Sequence, residues 1–308
     1  MGDLGLLFDL TLMFASILFV ASMSGYMSEK AGVVNIGIDG MMCMGALFFG
    51  IFSSNLIGLD SLSVGGLLIA LVLTMICTMS MGALHAFACI NLKANHIISG
   101  TAINLLGLAL ATFLNSPLAN SLFEGAVNLR TNFQPFLSIG GGLFGSSIII
   151  FGLILVLCGG IWLVMSKTKV GLRYQAVGEN PNAVDAQGIN VIKYQWVAVL
   201  LSSALAGLAG GLFLFNIGTF AGNVQSMGYL GLAILIAGAW RIPWMFVFSL
   251  VFAIFTACVN TTTLTQLNVP QEFTYAIPYI VTLLILVVSS KKVMPPAHSG
   301  IPFEKSKR

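Results

Sequence analysis

Charge is what this sequence has least of. Of 308 residues only 13 are Lys or Arg and 10 are Asp or Glu, 7% together, against 57% hydrophobic. A soluble domain carries roughly a quarter charged residues, so a water-solvated globule is excluded and a polytopic membrane chain remains. The net charge of +3 decides little, because in a bilayer the placement of charges counts and not their sum. The opening stretch MGDLGLLFDL has Asp3 and Asp9 but neither Lys nor Arg, so it lacks the basic flank of a secretory signal and no cleavage is expected. The five cysteines, Cys43, Cys77, Cys89, Cys158 and Cys258, stand singly within apolar runs, without metal-ligand or disulfide spacing, and read as packing residues. No phosphate-cradling Gly-rich loop with its Lys and Ser/Thr occurs, so any ATP is hydrolysed by another chain; no catalytic residue, metal or cofactor is expected.

What is present is a series of apolar runs near the ~20 residues a helical crossing needs. They fall at about 6 to 26, 35 to 52, 64 to 90, 97 to 114, 145 to 166, 194 to 215, 243 to 262 and 273 to 290, with a shorter one at 228 to 239. Between them lies one long charged interval, KTKVGLRYQAVGENPNAVDAQGINVIK, from Lys167 to Lys193. Asn180 before Pro181 reads as a helix cap followed by a residue suited to the first helical position, and Gly188 as a stop. The enclosed helix, Pro181 to Gln187, is ~10 Å long at 1.5 Å per residue and cannot span. Its small side chains Ala183, Val184 and Ala186 allow close approach to a partner, with Asn182 and Asp185 at the rim.

The segment GLRYQAVGENPNAVDAQGIN resembles the coupling loop of the permease subunits of ABC importers, in the branch serving ribose-type sugars, branched-chain amino acids and nucleosides. A second block, SEKAGVVNIGIDGMMCMGA at residues 28 to 46, resembles the start of the same family's core, most closely its nucleoside-type permeases. The family usually has Glu where this chain has Asp39. The resemblance implies that 167–193 is a cytoplasmic docking loop, with Gly178, Glu179, Asn180, Pro181, Ala183, Asp185 and Gly188 meeting a separate ABC ATPase subunit. It further implies an extracytoplasmic substrate-binding protein and a different, longer permease as the other half, hence a heterodimer in preference to a homodimer, in the plasma membrane of a bacterium.

With 167–193 inside, alternating crossings also put Lys30, Lys93, Arg241, Lys291, Lys292, Lys305, Lys307 and Arg308 inside and only Arg130 outside, in line with the positive-inside tendency. Lys193 and Arg241 on one side require the short run at 228 to 239 to cross, or to end a crossing that begins irregularly near Asn223. The expectation is an all-α polytopic membrane protein of about nine transmembrane helices, N-terminus outside and C-terminus inside. NIGIDGMMCMGALFFG and GYLGLAILIAGAW enter from opposite sides, as do the runs beginning at His96 and Glu272, which makes two inverted-topology repeats in one permease domain. The repeats are 6–114 and 194–290, joined by a linking helix at 145–166 and the loop 167–193, with a cytoplasmic tail at 291–308 that reads as disordered against anionic lipid. The outer stretch 115–146 is too long for a tight turn and suits either contact with the delivering protein or a cap on the outer mouth.

Polar residues within the spans are the candidates for the path, with helix–helix hydrogen bonding as the equally good alternative. Asn35, Asp39, Asn104 and Asn260 are the candidates, with Ser99, Thr101, Thr261 and Thr262 beside them. Asp39 is expected ~6 Å inside its helix, near water, holding the helix entry with Asn35. His85 and His96 read as interfacial residues. A path with so little charge suits a neutral solute, a nucleoside by resemblance, with riboflavin, a simple sugar or a branched-chain amino acid as alternatives. An ion-coupled secondary transporter is the competing class, but it relies on intramembrane carboxylates, which this chain nearly lacks. No nucleic-acid partner is expected.

Overall fold

A computed structural model describes residues 3–55, 64–116, 144–260 and 294–304, with single positions at 280, 283 and 287. Every regular element among them is helical. The elements are α1 (Asp3–Glu29), α2 (Ile38–Asn55), α3 (Val64–Ala86) with a π turn over Phe87–Asn91, α4 (His96–Leu114), α5 (Phe144–Lys167), α6 (Lys169–Glu179), α7 (Pro181–Ala186), α8 (Val191–Ile217), α9 (Met227–Ala237) and α10 (Ile242–Asn260). Six of these, α1, α3, α4, α5, α8 and α10, are long and apolar enough to cross a membrane; α2 and α9 are shorter apolar helices. The expected run at 273 to 290, the outer stretch 117–143, and Thr261 and Thr262 lie outside the described residues.

The centre is the pair α1 and α8, joined where the Ser24 hydroxyl donates to the Ser202 carbonyl at 2.8 Å. α1 is flanked by α5, α9 and α10, and α8 by α2 and α3, with α4 outside α2. Small residues permit the tight seams: a side chain on Gly45 of α2 would meet the Gly207 backbone of α8 at 2.6 Å. Without a hydrophobic drive inside lipid, such close backbone packing is a main source of helix association. The outer helices present apolar faces, Ile69, Val72 and Ile76 on α3, Leu105 on α4, Val156 and Leu163 on α5, all exposed, as surfaces solvated by acyl chains should be.

Two crossings are discontinuous. After α1 the chain turns at Lys30–Gly32, runs extended through Val33–Asn35, and starts α2 only at Ile38. After α8 ends at Gly218, in the left-handed region at φ +77°, residues 218–226 are irregular and α9 starts at Met227. This irregular stretch packs on the far end of α4, where the Asn115 amide donates to the Phe220 carbonyl at 2.8 Å. An irregular beginning for the 228–239 run, expected from Gly218 and Gly222, is thus present, and it has a packing partner.

The interval 167–193 is more ordered than a loop with one short helix. Three side-chain caps divide it: Thr168 accepts from Gly171 N at 3.2 Å and starts α6, Asn180 from Ala183 N at 3.0 Å and starts α7, and Asn190 from Lys193 N at 3.1 Å and starts α8. The tail departs from the expectation of disorder. Residues 296–301 form successive turns lying on α6 and on the Lys30–Gly32 turn, because backbone groups there find partners.

Candidate functional site

The discontinuities of α2 and α9 meet. Asn35 donates to the Ser202 hydroxyl of α8 at 3.0 Å and accepts from Gly37 N at 3.0 Å, which fixes the turn that opens α2. Asn104 of α4 accepts from Gly40 N at 2.8 Å and donates to both the Ile36 carbonyl (2.8 Å) and the Tyr229 hydroxyl (2.9 Å). Asp39 accepts from Gly228 N, in the first turn of α9, at 2.9 Å. A Cβ on Gly228 would stand 2.5 Å from the Asp39 Cα, so only glycine lets the two helix starts touch. Asn35, Asp39 and Asn104 are therefore brought into one junction with Ser202 and Tyr229, whereas Asn260 is not: its amide donates to Thr256 of its own helix at 2.8 Å.

The junction is deep, not interfacial. Ser202 follows the start of α8 by eleven residues and Asn104 that of α4 by eight, ~16 and ~12 Å along their helices, about half of a ~30 Å hydrocarbon core. Asp39 is one residue into α2, but α2 itself begins at this depth, so the expected ~6 Å from water is corrected. α2 runs away from the Lys30 end while α9 runs toward it, ending near Trp240, whose indole N–H donates to Glu29 at 2.7 Å. The positive ends of two oppositely directed half-helices thus converge on one carboxylate, a favourable dipole arrangement.

The two histidines secure the extended approach to the junction. His85 sits between the Ser99 hydroxyl (2.9 Å) and the Val34 carbonyl (3.2 Å), and His96 Nδ1 accepts from Val34 N at 3.3 Å. His85 lies in the last turn of α3, near the helix end as expected, buried at the α3–α4 seam with Ser99 as its hydrogen-bond partner. Thr101 is exposed and donates to Ile98 of its own helix.

At one end of the bundle the basic residues gather. Gly178 packs on the Lys30 carbonyl, Trp196 donates to Asn91 at 3.1 Å beside Lys93, and Trp240 bonds Glu29 beside Lys30. Lys30, Lys93, Arg241 and 167–193 therefore share an end. Here α6 buries Tyr174, which donates to the Met27 carbonyl. Burial, then the nearby Tyr26, holds that phenol well above its usual range. Of the residues expected to meet a partner, Glu179, Asn180, Ala183 and Gly188 are exposed, Asp185 is half-buried, and Pro181 and Gly178 are buried. Val184, expected on the partner face, instead packs inward with Val177 and Val191. The outward face of α7 is Asn182, Ala183, Ala186 and Gln187.

Sequence reasoning overlooked Ser202, Tyr229 and Glu29, and named Asp9 without a buried role. Glu29 is 7% exposed, and Asp9 is buried, accepting from the Ser147 hydroxyl at 2.5 Å. Tyr229 carried a usable signal, because it follows the glycine that heads GYLGLAILIAGAW, the run set against NIGIDGMMCMGALFFG. Glu29, next to Lys30, carried none.

A family model described as branched-chain amino acid transport system / permease component matches residues 7–286. The chain is 33% identical to the nucleoside ABC transporter permease protein NupC of Lactococcus lactis subsp. cremoris, over 96% of each chain. It is 29% identical to the guanosine ABC transporter permease protein NupQ of Bacillus subtilis, over 99% of this chain and 98% of that one. An uncharacterized protein, MG121, of Mycoplasma genitalium is 35% identical over 96% of each. No solved structure matches. On the strength of that family match and of similarity running end to end, the chain belongs to the permease-component family of ABC transporters.

Proposed function

We propose that this permease imports a nucleoside, powered by a separate ABC ATPase subunit that docks on α7. The carrying observation is its similarity, along nearly the whole of each chain, to two permeases named for nucleoside and guanosine transport. The junction chemistry agrees: Asn35, Asn104, Ser202 and Tyr229 are neutral hydrogen-bonding groups, and Asp39 is the one charge among them, which suits an uncharged polar solute and opposes a phosphorylated one.

The end bearing Lys30, Lys93, Arg241 and 167–193 faces the cytoplasm by the positive-inside tendency, which puts the N-terminus outside. α2 and α9, half-helices of opposite direction meeting at mid-depth, support the reading of inverted repeats, with about nine crossings once the run at 273–290 is counted. Asp39 and Asn104 then stand where the halves part to let solute through. Asn180, Pro181, Ala183, Asp185 and Gly188 build the docking helix and its ends, while Gly178 and Glu179 anchor it from behind. The partners are the ATPase, an extracytoplasmic binding protein and a second, different permease, in the plasma membrane of a bacterium.

Uptake of labelled guanosine by cells carrying the full transporter tests this directly. Saturable, ATP-dependent uptake that nucleosides compete for, and that riboflavin, simple sugars and branched-chain amino acids leave alone, is expected. Transport of branched-chain amino acids with no nucleoside uptake would overturn the substrate assignment.

A further inference from the structure

Three segments distant in sequence meet at the basic end of the bundle, backbone to backbone. His298 N donates to the Gly178 carbonyl at 2.9 Å, and Gly300 N to the Gly32 carbonyl at 3.0 Å. Ala297 N donates to the Glu179 carboxylate at 3.3 Å. Gly32 and Gly300 both lie in the left-handed region, φ +87° and +80°, and a side chain on Gly178 would collide with the Lys30 carbonyl. Three residues beyond Gly300, Phe303 packs against the cluster of Val177, Val184 and Val191, which belong to α6, α7 and α8. The tail thus touches every helix of the 167–193 interval and, through Gly32, the turn from which the chain runs by way of Val34 and Asn35 to the α2–α9 junction.

We propose that residues 296–303 form a strap that couples α7 to the α1–α2 link, so that displacement of α7 pulls on the extended segment feeding the mid-depth junction. Between the exposed face of α7 and that segment, the rigid route runs through Val184 and Phe303 to His298–Gly300 and then Gly32. The direct contact of Gly178 with Lys30 forms its second leg. Phe303 and the backbone of His298 and Gly300 are positioning elements, acting through α7 and touching no solute. The Ser299 hydroxyl is buried in the strap without a hydrogen-bond partner, so it adds nothing to the tie.

This rests on the reading of α7 as the ATPase docking helix, and the experiment separates the two. The complete transporter, with its ATPase and binding protein, is assayed in proteoliposomes for solute moved per ATP hydrolysed. Permeases truncated after Met294 or carrying Phe303→Ala are compared with Ser299→Ala and with a permease whose residues 181–187 are a Gly/Ser linker. Expected is a several-fold drop in solute moved per ATP for the truncation and a smaller drop for Phe303→Ala. Ser299→Ala should match the native ratio, with the ATPase co-purifying with these three tail variants. Hydrogen exchange over 181–187 should quicken in Phe303→Ala. If the linker abolishes uptake while truncation and Phe303→Ala leave the ratio and the exchange unchanged, the strap is wrong and the docking helix stands. If the linker variant transports normally, the docking reading itself fails. Should the truncated chain not accumulate, Phe303→Ala alone decides.

Discussion

The α2–α9 junction and the basic end of the bundle are both polar, but they are polar in opposite ways. At the junction each side-chain amide is used on both sides: Asn35 bonds Gly37 and Ser202, and Asn104 bonds Gly40, Ile36 and Tyr229. At the basic end the caps at Asn180 and Asn190 use one oxygen each, and α7 keeps Asn182, Ala183, Ala186 and Gln187 outward. Depth explains the difference. In hydrocarbon an unmet donor has no water to turn to, so the junction closes on itself, whereas the end can leave groups open for another chain. A substitution at the first should therefore be read in stability, and at the second in transport with stability intact.

The largest effect tests the second half of that contrast. Replacing 181–187 with a Gly/Ser linker should leave membrane insertion and thermal stability near native and abolish ATP-driven uptake. Uptake at native rate by a correctly inserted linker variant would remove the contrast altogether. Next comes Asn104→Leu, which strips three hydrogen bonds at mid-depth. Side-chain bonds in membrane proteins average about 0.6 kcal/mol, so a loss of ~2 kcal/mol is expected, seen as a lower melting temperature in detergent. Tyr229→Phe, which removes one of the three, should cost about a third of that, and Asn182→Ala nothing measurable. Equal shifts for Asn104→Leu and Asn182→Ala would deny any difference between the regions.

Asp39 sharpens the comparison from inside the junction. Asn in its place keeps an oxygen for Gly228 N and gives up only the charge; Leu gives up both. If the residue serves as a helix-to-helix tie, Asp39→Asn should retain most uptake and Asp39→Leu should lose it. Loss of uptake in Asp39→Asn with unchanged stability would make the charge itself part of the path.

Much of this was legible in the sequence, for reasons that can be located. Asn180-Pro181 and Gly188 delimit α7 because cap and stop are local chemistry, read from neighbours in the chain. Six of the apolar runs became membrane-length helices because hydrophobic length is also local. The depth of Asp39 was not legible, since it depends on Val33–Asn35 running extended into the bundle, an excursion held by His85, His96 and Ser202 from three other helices. The tail misled for the mirror-image reason. Pro295, Pro296 and the basic end suggest disorder, yet the ordering comes from carbonyls of Gly32 and Gly178, which no composition reveals. Tertiary hydrogen bonds to the backbone are the part a one-dimensional reading misses.

The smallest expected effect is a pH dependence of the tail at the basic end. His298 has its pKa lowered by partial burial, with Lys30 and Glu179 as the charged groups near the node; Lys30 is itself lowered, by burial first and against the pull of Glu179. A lowered histidine pKa means the docked tail prefers the neutral ring. Tail docking is therefore complete above the undocked value of about 6.5 and weakens as pH falls through the docked one, since protonation then favours release. Hydrogen exchange at Ala297–Gly300 should quicken between pH 7.5 and pH 5 beyond the intrinsic trend, while His298→Gln should lose that increment. Equal quickening in His298→Gln would mean that a group other than this imidazole governs the opening of the node, and the tail would then respond to charge elsewhere at the basic end.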